Sequence, residues 1–163
     1  MDAHTQVLFT GIGATALMDV AMVARERFLG IPQPDYGFVG RWLGRMAHGQ
    51  FVHPRIAAAP TVRGERAIGW AAHYAIGIAF AGLLYGLAGA GWFRAPTIGI
   101  ALAVGVATVA APFLVMQPAM GAGFAASRTP RPNAARIQSL ATHAIFGLGL
   151  YAAGLLSSLI PAP

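Results

Sequence analysis

Four long apolar stretches decide what this chain can become. They run at about 7–25, 67–92, 97–117 and 137–160, and apart from Arg25 at the end of the first, only Asp19 puts a charge inside any of them. A helix of roughly 20 apolar residues crosses about 30 Å of hydrocarbon, so each stretch is long enough to span a bilayer. Four such stretches in 163 residues are too many to bury in one soluble core. Composition agrees: 10% of residues are charged, against about 25% in an ordinary soluble domain. The expected fold is an all-α membrane protein, one domain over 1–163, with loops at 26–66 and 118–136.

Arginine placement gives the orientation. All eleven basic residues other than histidine are arginine, and ten lie at the end of the first stretch or in the two long loops, with Arg94 alone in the short turn between the second and third. Basic residues are retained on the cytoplasmic side of membrane proteins. The long loops are therefore expected in the cytoplasm and both termini outside it. The formal net charge of +6 follows from this asymmetry, so it does not call for a nucleic-acid partner; the lipid bilayer is the expected one. The first stretch lacks the basic start of a signal peptide and carries Arg25 and Arg27 after its apolar run, which reads as a retained helix.

In the first loop, Phe38, Val39, Trp42, Leu43 and Met46 recur at helical spacing with Arg41, Arg45 and His48 among them. That pattern predicts a short amphipathic helix, either in the headgroup region or folded over the end of the bundle. Small residues at Gly11 and Gly13, at Gly82 and Gly86, and at Gly99, Ala103 and Ala107 allow close helix approach in lipid. They predict a tight bundle and a homo-oligomer or a place in a larger membrane complex. Pro112 should distort the third span. The chain has no cysteine, which removes disulfides and thiolate chemistry. No phosphate loop, dinucleotide fingerprint or metalloprotease motif is present.

An internal repeat is also visible. Pro60, Arg66, Ala71, His73 and Gly77 match Pro130, Arg136, Ala141, His143 and Gly147 at a constant offset of seventy residues. Ala14-Thr15 and Ala107-Thr108 add a weaker match. Two similar helical hairpins in the same orientation would follow.

Ionisable residues inside a span are costly and mark a candidate site. His73 and His143 each lie seven residues beyond an arginine, Arg66 or Arg136, and Asp19 lies six before Arg25. At 1.5 Å per residue all three fall ~10 Å inside the cytoplasmic surface. Gln117 closes the third span near the same surface. Gly69, Gly77, Ser139 and Gly147 flank the histidines at four-residue spacing and leave each in a notch of small side chains. Three readings stand side by side. The polar groups tie the bundle together by hydrogen bonds; or they bind a proton, a metal ion at Asp19, His73 and His143, or a small polar solute; or the two histidines hold haem, with Arg66 and Arg136 on its propionates. No serine, histidine and acid arrangement suggests a hydrolase, so an enzyme is not expected.

The segments Gly11-Ile-Gly-Ala-Thr-Ala-Leu-Met-Asp19, Gly40-Arg-Trp-Leu-Gly-Arg45, Arg63-Gly-Glu-Arg-Ala-Ile-Gly-Trp70, Met116-Gln-Pro-Ala-Met-Gly-Ala-Gly123 and Ser127-Arg-Thr-Pro-Arg-Pro-Asn-Ala-Ala-Arg136 together resemble a family of small bacterial inner-membrane proteins known as a domain of unknown function. The resemblance covers nearly the whole chain. It implies four spans in a bacterial inner membrane, with the termini on the periplasmic side by the arginine argument. It implies no activity and assigns no site residue.

Overall fold

The structure is a computed structural model and describes residues 1–160. All regular structure in these residues is helical: α1 (Ala3–Leu29), α2 (Tyr36–Met46), α3 (Glu65–Arg94), α4 (Ile98–Ala107), the short α5 (Gln117–Ala119) and α6 (Pro132–Ser158), with short 3-10 turns at Ile56–Ala58 and Phe124–Ala126. Four segments are long and apolar enough to cross a membrane: Ala3–Leu29, Glu65–Arg94, Ile98–Ala119 and Pro132–Ser158. They contain the four stretches read from the sequence, the third except for Thr97 and the fourth except for its last two residues. Their surfaces carry exposed Leu8, Val20, Leu83, Leu87, Leu148 and Leu156, as expected where lipid rather than water is the solvent.

The helix ends follow local chemistry. Asp2 caps α1 by accepting the Thr5 N–H, and Gly30 closes it in the left-handed conformation, which glycine adopts without a Cβ clash. Asp35 caps α2 through the Gly37 N–H at 2.8 Å. Within the third apolar segment the regular helix stops at Ala107, and Pro112–Met116 forms a π-helical turn. Proline has no N–H to give to the α-helical ladder, and a π turn accommodates the defect. The expected distortion at Pro112 is present.

The chain forms two compact units. The first contains Met1–Gln33, Tyr74–Thr108 and, among the described residues, 141–160. Its core joins Ala14, Met18, Met22, Leu84, Trp92, Phe93, Phe146 and Leu150. Glycines set its helix contacts: a Cβ on Gly11 would meet the Ile78 backbone, one on Gly77 the Thr15 hydroxyl, and one on Gly105 the Gly147 backbone. Each contact places a glycine of one helix directly against another helix, the packing expected where close approach replaces hydrophobic drive.

The second unit contains Pro34–His73 and Val109–Leu140. Here α2 lies against the start of α3, with Gly40 on the Glu65 carbonyl and Gly69 on the Tyr36 carbonyl. Arg41 and Trp42 are buried. The amphipathic segment thus packs on the beginning of α3. Two loops are laced together beside it: the His53 N–H donates to the Ala119 carbonyl at 2.7 Å and the Ile56 N–H to the Met120 carbonyl at 3.0 Å. Gly121, in a left-handed conformation, leaves no room for a side chain beside the Pro54 carbonyl.

Candidate functional site

The first unit pairs polar side chains across all four spans. On α1, Asp19 accepts a hydrogen bond from the Tyr74 phenol of α3 at 3.1 Å. Two turns further along α1, Arg25 reaches the Thr142 hydroxyl of α6 at 3.5 Å and the Met22 sulfur at 3.4 Å. Thr142 in turn points at that sulfur. The next residue of α6 is His143, whose Nδ1 lies 2.9 Å from the hydroxyl of Thr108, just past the end of α4.

The Thr108–His143 pair has a defined proton arrangement. Thr108 Oγ1 lies 2.6 Å from the Gly105 carbonyl. A carbonyl only accepts, so the single hydroxyl proton goes there. The hydroxyl oxygen must then accept from the imidazole, and Nδ1 carries the hydrogen. In the neutral ring, Nε2 is left with its lone pair. The ring of Phe80 stands nearby, its centroid 6.5 Å from that of His143. A histidine held at one nitrogen by the protein presents the other as a directed base or ligand.

The second unit holds the remaining residues expected at the site. The His73 ring stacks on Tyr36 at 4.0 Å, with Trp70 edge-on at 5.6 Å. Tyr36 and Trp70 are themselves 4.9 Å apart, so the three rings form one aromatic cluster where α2 meets α3. The Gln117 amide nitrogen reaches the Ser139 hydroxyl at 3.4 Å, while its buried Oε1 has no partner among the described residues. Arg136 is engaged by protein groups. Its Nε donates to the Ala125 carbonyl at 2.8 Å and its NH1 to Asn133 at 3.0 Å. Arg66 is exposed.

The small residues flanking the histidines are filled from within the protein. Gly69 faces the Tyr36 backbone, Gly77 faces Thr15, and Gly147 faces Ala101 and Gly105. The notches serve helix packing. Among the described residues no three histidine, aspartate or glutamate side chains come together to hold a metal ion. Tyr74, Thr108, Arg25 and Thr142 belong to the polar layer and were not among the expected site residues. Hydroxyls inside a span do not stand out by cost as charges do, and only the Thr15/Thr108 match hinted at one of them.

The family model described as a protein of unknown function (DUF2938) matches residues 8–157. No curated protein matches the chain, and no solved structure does.

Proposed function

We propose a function from one premise: the chain belongs to the DUF2938 family and carries four helices apolar enough to cross a membrane. It is a multi-pass inner-membrane protein that binds, and moves across its polar layer, a proton or a small polar solute. The termini face the periplasm and the arginine-rich loops the cytoplasm, on the strength of the ten-to-one arginine asymmetry. The site comprises the Asp19–Tyr74 pair, the Thr108–His143 pair and the Arg25–Thr142 contact, with His73 beside it in sequence.

The observation that carries this reading is the fixed tautomer of His143. The Thr108 proton goes to the Gly105 carbonyl, so Nδ1 carries the ring hydrogen and the lone pair of the neutral ring falls on Nε2. Imidazole is also the side chain that titrates near neutral pH, which suits a proton-linked step. The duplication read from the sequence is supported as well: Thr15 and Thr108 each donate to a glycine carbonyl one turn back, on helices packed against Gly77 and Gly147 respectively.

The test is proton flux into liposomes carrying the purified protein, read by a trapped pH dye under an imposed gradient, repeated with candidate solutes present. The expected result is a flux that falls at least tenfold in His143→Gln and in Asp19→Asn while both variants stay folded. No flux with any solute, together with variants that only lower the melting temperature, would show the layer to be structural. A second reading, an accessory subunit of a larger complex, draws on α3: Ala71, Ala75, Ala79, Gly86 and Ala90 are exposed along it, a small-residue surface of the kind that packs against another helix in lipid.

A further inference from the structure

The whole formal charge of +6 resides in the second unit, which holds eight arginines and two carboxylates, whereas the first unit balances three of each. Both carboxylates are engaged: Asp35 caps α2 and Glu65 pairs with Arg41 at 2.7 Å. Arg55, Arg63, Arg66, Arg128 and Arg131 are exposed.

The same unit exposes three large apolar side chains on its loops: Phe51 at 59%, Val52 at 72% and Phe124 at 66%. They are not scattered. The Trp42 indole donates to the Phe51 carbonyl at 2.8 Å, which holds the Phe51 backbone while its ring stays outside. His53, next in line after Val52, is hydrogen-bonded to Ala119, the last residue of the third apolar segment. Phe124 follows five residues after that segment ends. The tip is therefore tied to the place where a span leaves the hydrocarbon, at headgroup level. Arg55 lies between the two laced residues, and Arg128 follows four residues after Phe124.

We propose that this laced double loop is an anchor for anionic phospholipid: Phe51, Val52 and Phe124 enter the headgroup layer while Arg55 and Arg128 bind lipid phosphates. A single apolar or single basic feature would be ambiguous. Together they fit an interface that is apolar below and negatively charged above. RNA would satisfy the arginines, but it would leave the exposed Val52 with nothing apolar to bury against. The contact expected of the amphipathic segment thus moves from α2, whose Arg41 and Trp42 face inward, to the loops that follow it. The proposal does not depend on the polar layer in the spans.

The chain has no cysteine, so a spin label on Val52→Cys is unique. The full-length protein is placed in nanodiscs of phosphatidylcholine alone and of phosphatidylcholine with phosphatidylglycerol, and label depth is read from its relaxation by oxygen and by a water-soluble nickel complex. The label should favour oxygen in both discs, by at least threefold more when phosphatidylglycerol is present. Arg55→Gln with Arg128→Gln should remove that gain without changing the melting temperature. A label equally open to nickel in both discs, or a depth indifferent to the anionic lipid, overturns the proposal. So does shielding from nickel that appears only on adding single-stranded RNA.

Discussion

Arg41 and Glu65 form a two-pronged ion pair, with Nε and NH2 of the guanidinium on the two carboxylate oxygens at 2.8 and 2.7 Å. The same arginine lies 3.3 Å from the carbonyls of Ile56, Ala57 and Ala59, and Glu65 also accepts the Val62 N–H at 3.0 Å. One pair thus joins α2, the turn that follows it, and the beginning of α3. Bidentate geometry is what makes an arginine pair more than a surface contact.

The pair gives a pH dependence with a definite sign. Glu65 lies two residues before the apolar run of α3, and the hydrogen bonds from Arg41, then the Val62 N–H, hold its pKa down from 4.5 to about 2. A carboxylate with a lowered folded-state pKa contributes stability above its unfolded value and loses it as pH falls toward the folded one. Melting temperature should therefore fall between about pH 4.5 and 2. In Glu65→Gln it should start lower at neutral pH and change less across that window. Melting curves of the two proteins in the same nanodiscs check this.

The glycines divide into two classes with opposite expectations. A Cβ on Gly40 would collide with the Glu65 carbonyl and one on Gly69 with the Tyr36 carbonyl, whereas Gly86 and Gly99 meet nothing within 4 Å. Gly40→Ala and Gly69→Ala should each cost about 3 kcal/mol or prevent folding, the upper range for forced overpacking. Gly86→Ala and Gly99→Ala should be neutral or stabilise by up to about 1 kcal/mol, since alanine is the better helix former. Reversible unfolding in mixed detergent separates the classes.

Ala125 and Ala126 adopt positive φ of 45° and 60°, a region that costs a residue with a Cβ about 1–2 kcal/mol. The Arg136 bond to the Ala125 carbonyl holds the turn in that state. Ala125→Gly should stabilise by about 1 kcal/mol. Arg136→Ala should destabilise, and the double variant should recover part of the loss. The same unfolding measurement applies.

Topology is testable by single-cysteine labelling, again because the chain has none of its own. In whole cells, Ala95→Cys should react with a membrane-impermeant maleimide, whereas Gly49→Cys and Thr129→Cys should react only after lysis. The reverse pattern would invert the orientation argued from the arginines.

The spans were legible because lipid imposes a crude, strong rule: about twenty apolar residues in a row. The packing contacts of Gly11 and of Gly77 were also legible in kind, since small residues stand out in a span. What could not be read was which arginine turns inward. Arg41 looks like its ten fellows, and only the geometry shows it buried against Glu65 and three carbonyls. His143 stands out in the sequence because a titratable group in a span is conspicuous. Its partner Thr108 was not, since a threonine in a helix ordinarily bonds its own backbone and signals nothing. The engagement of Arg136 was not legible either: spacing shows it seven residues before His143, and only the geometry shows its guanidinium on the Ala125 carbonyl and Asn133.

The account turns on the proton of His143, so nitrogen NMR of that ring in lipid bilayers tests it most directly. Histidine labelled at both ring nitrogens, with His143→Gln used to assign the signal, should show a neutral ring at high pH with hydrogen on Nδ1 and a bare Nε2 that takes up a proton as pH falls. Thr108→Val should release the ring to a mixture of tautomers. Hydrogen on Nε2 in the wild type, or a ring that stays neutral down to the pH at which the protein unfolds, would contradict the account.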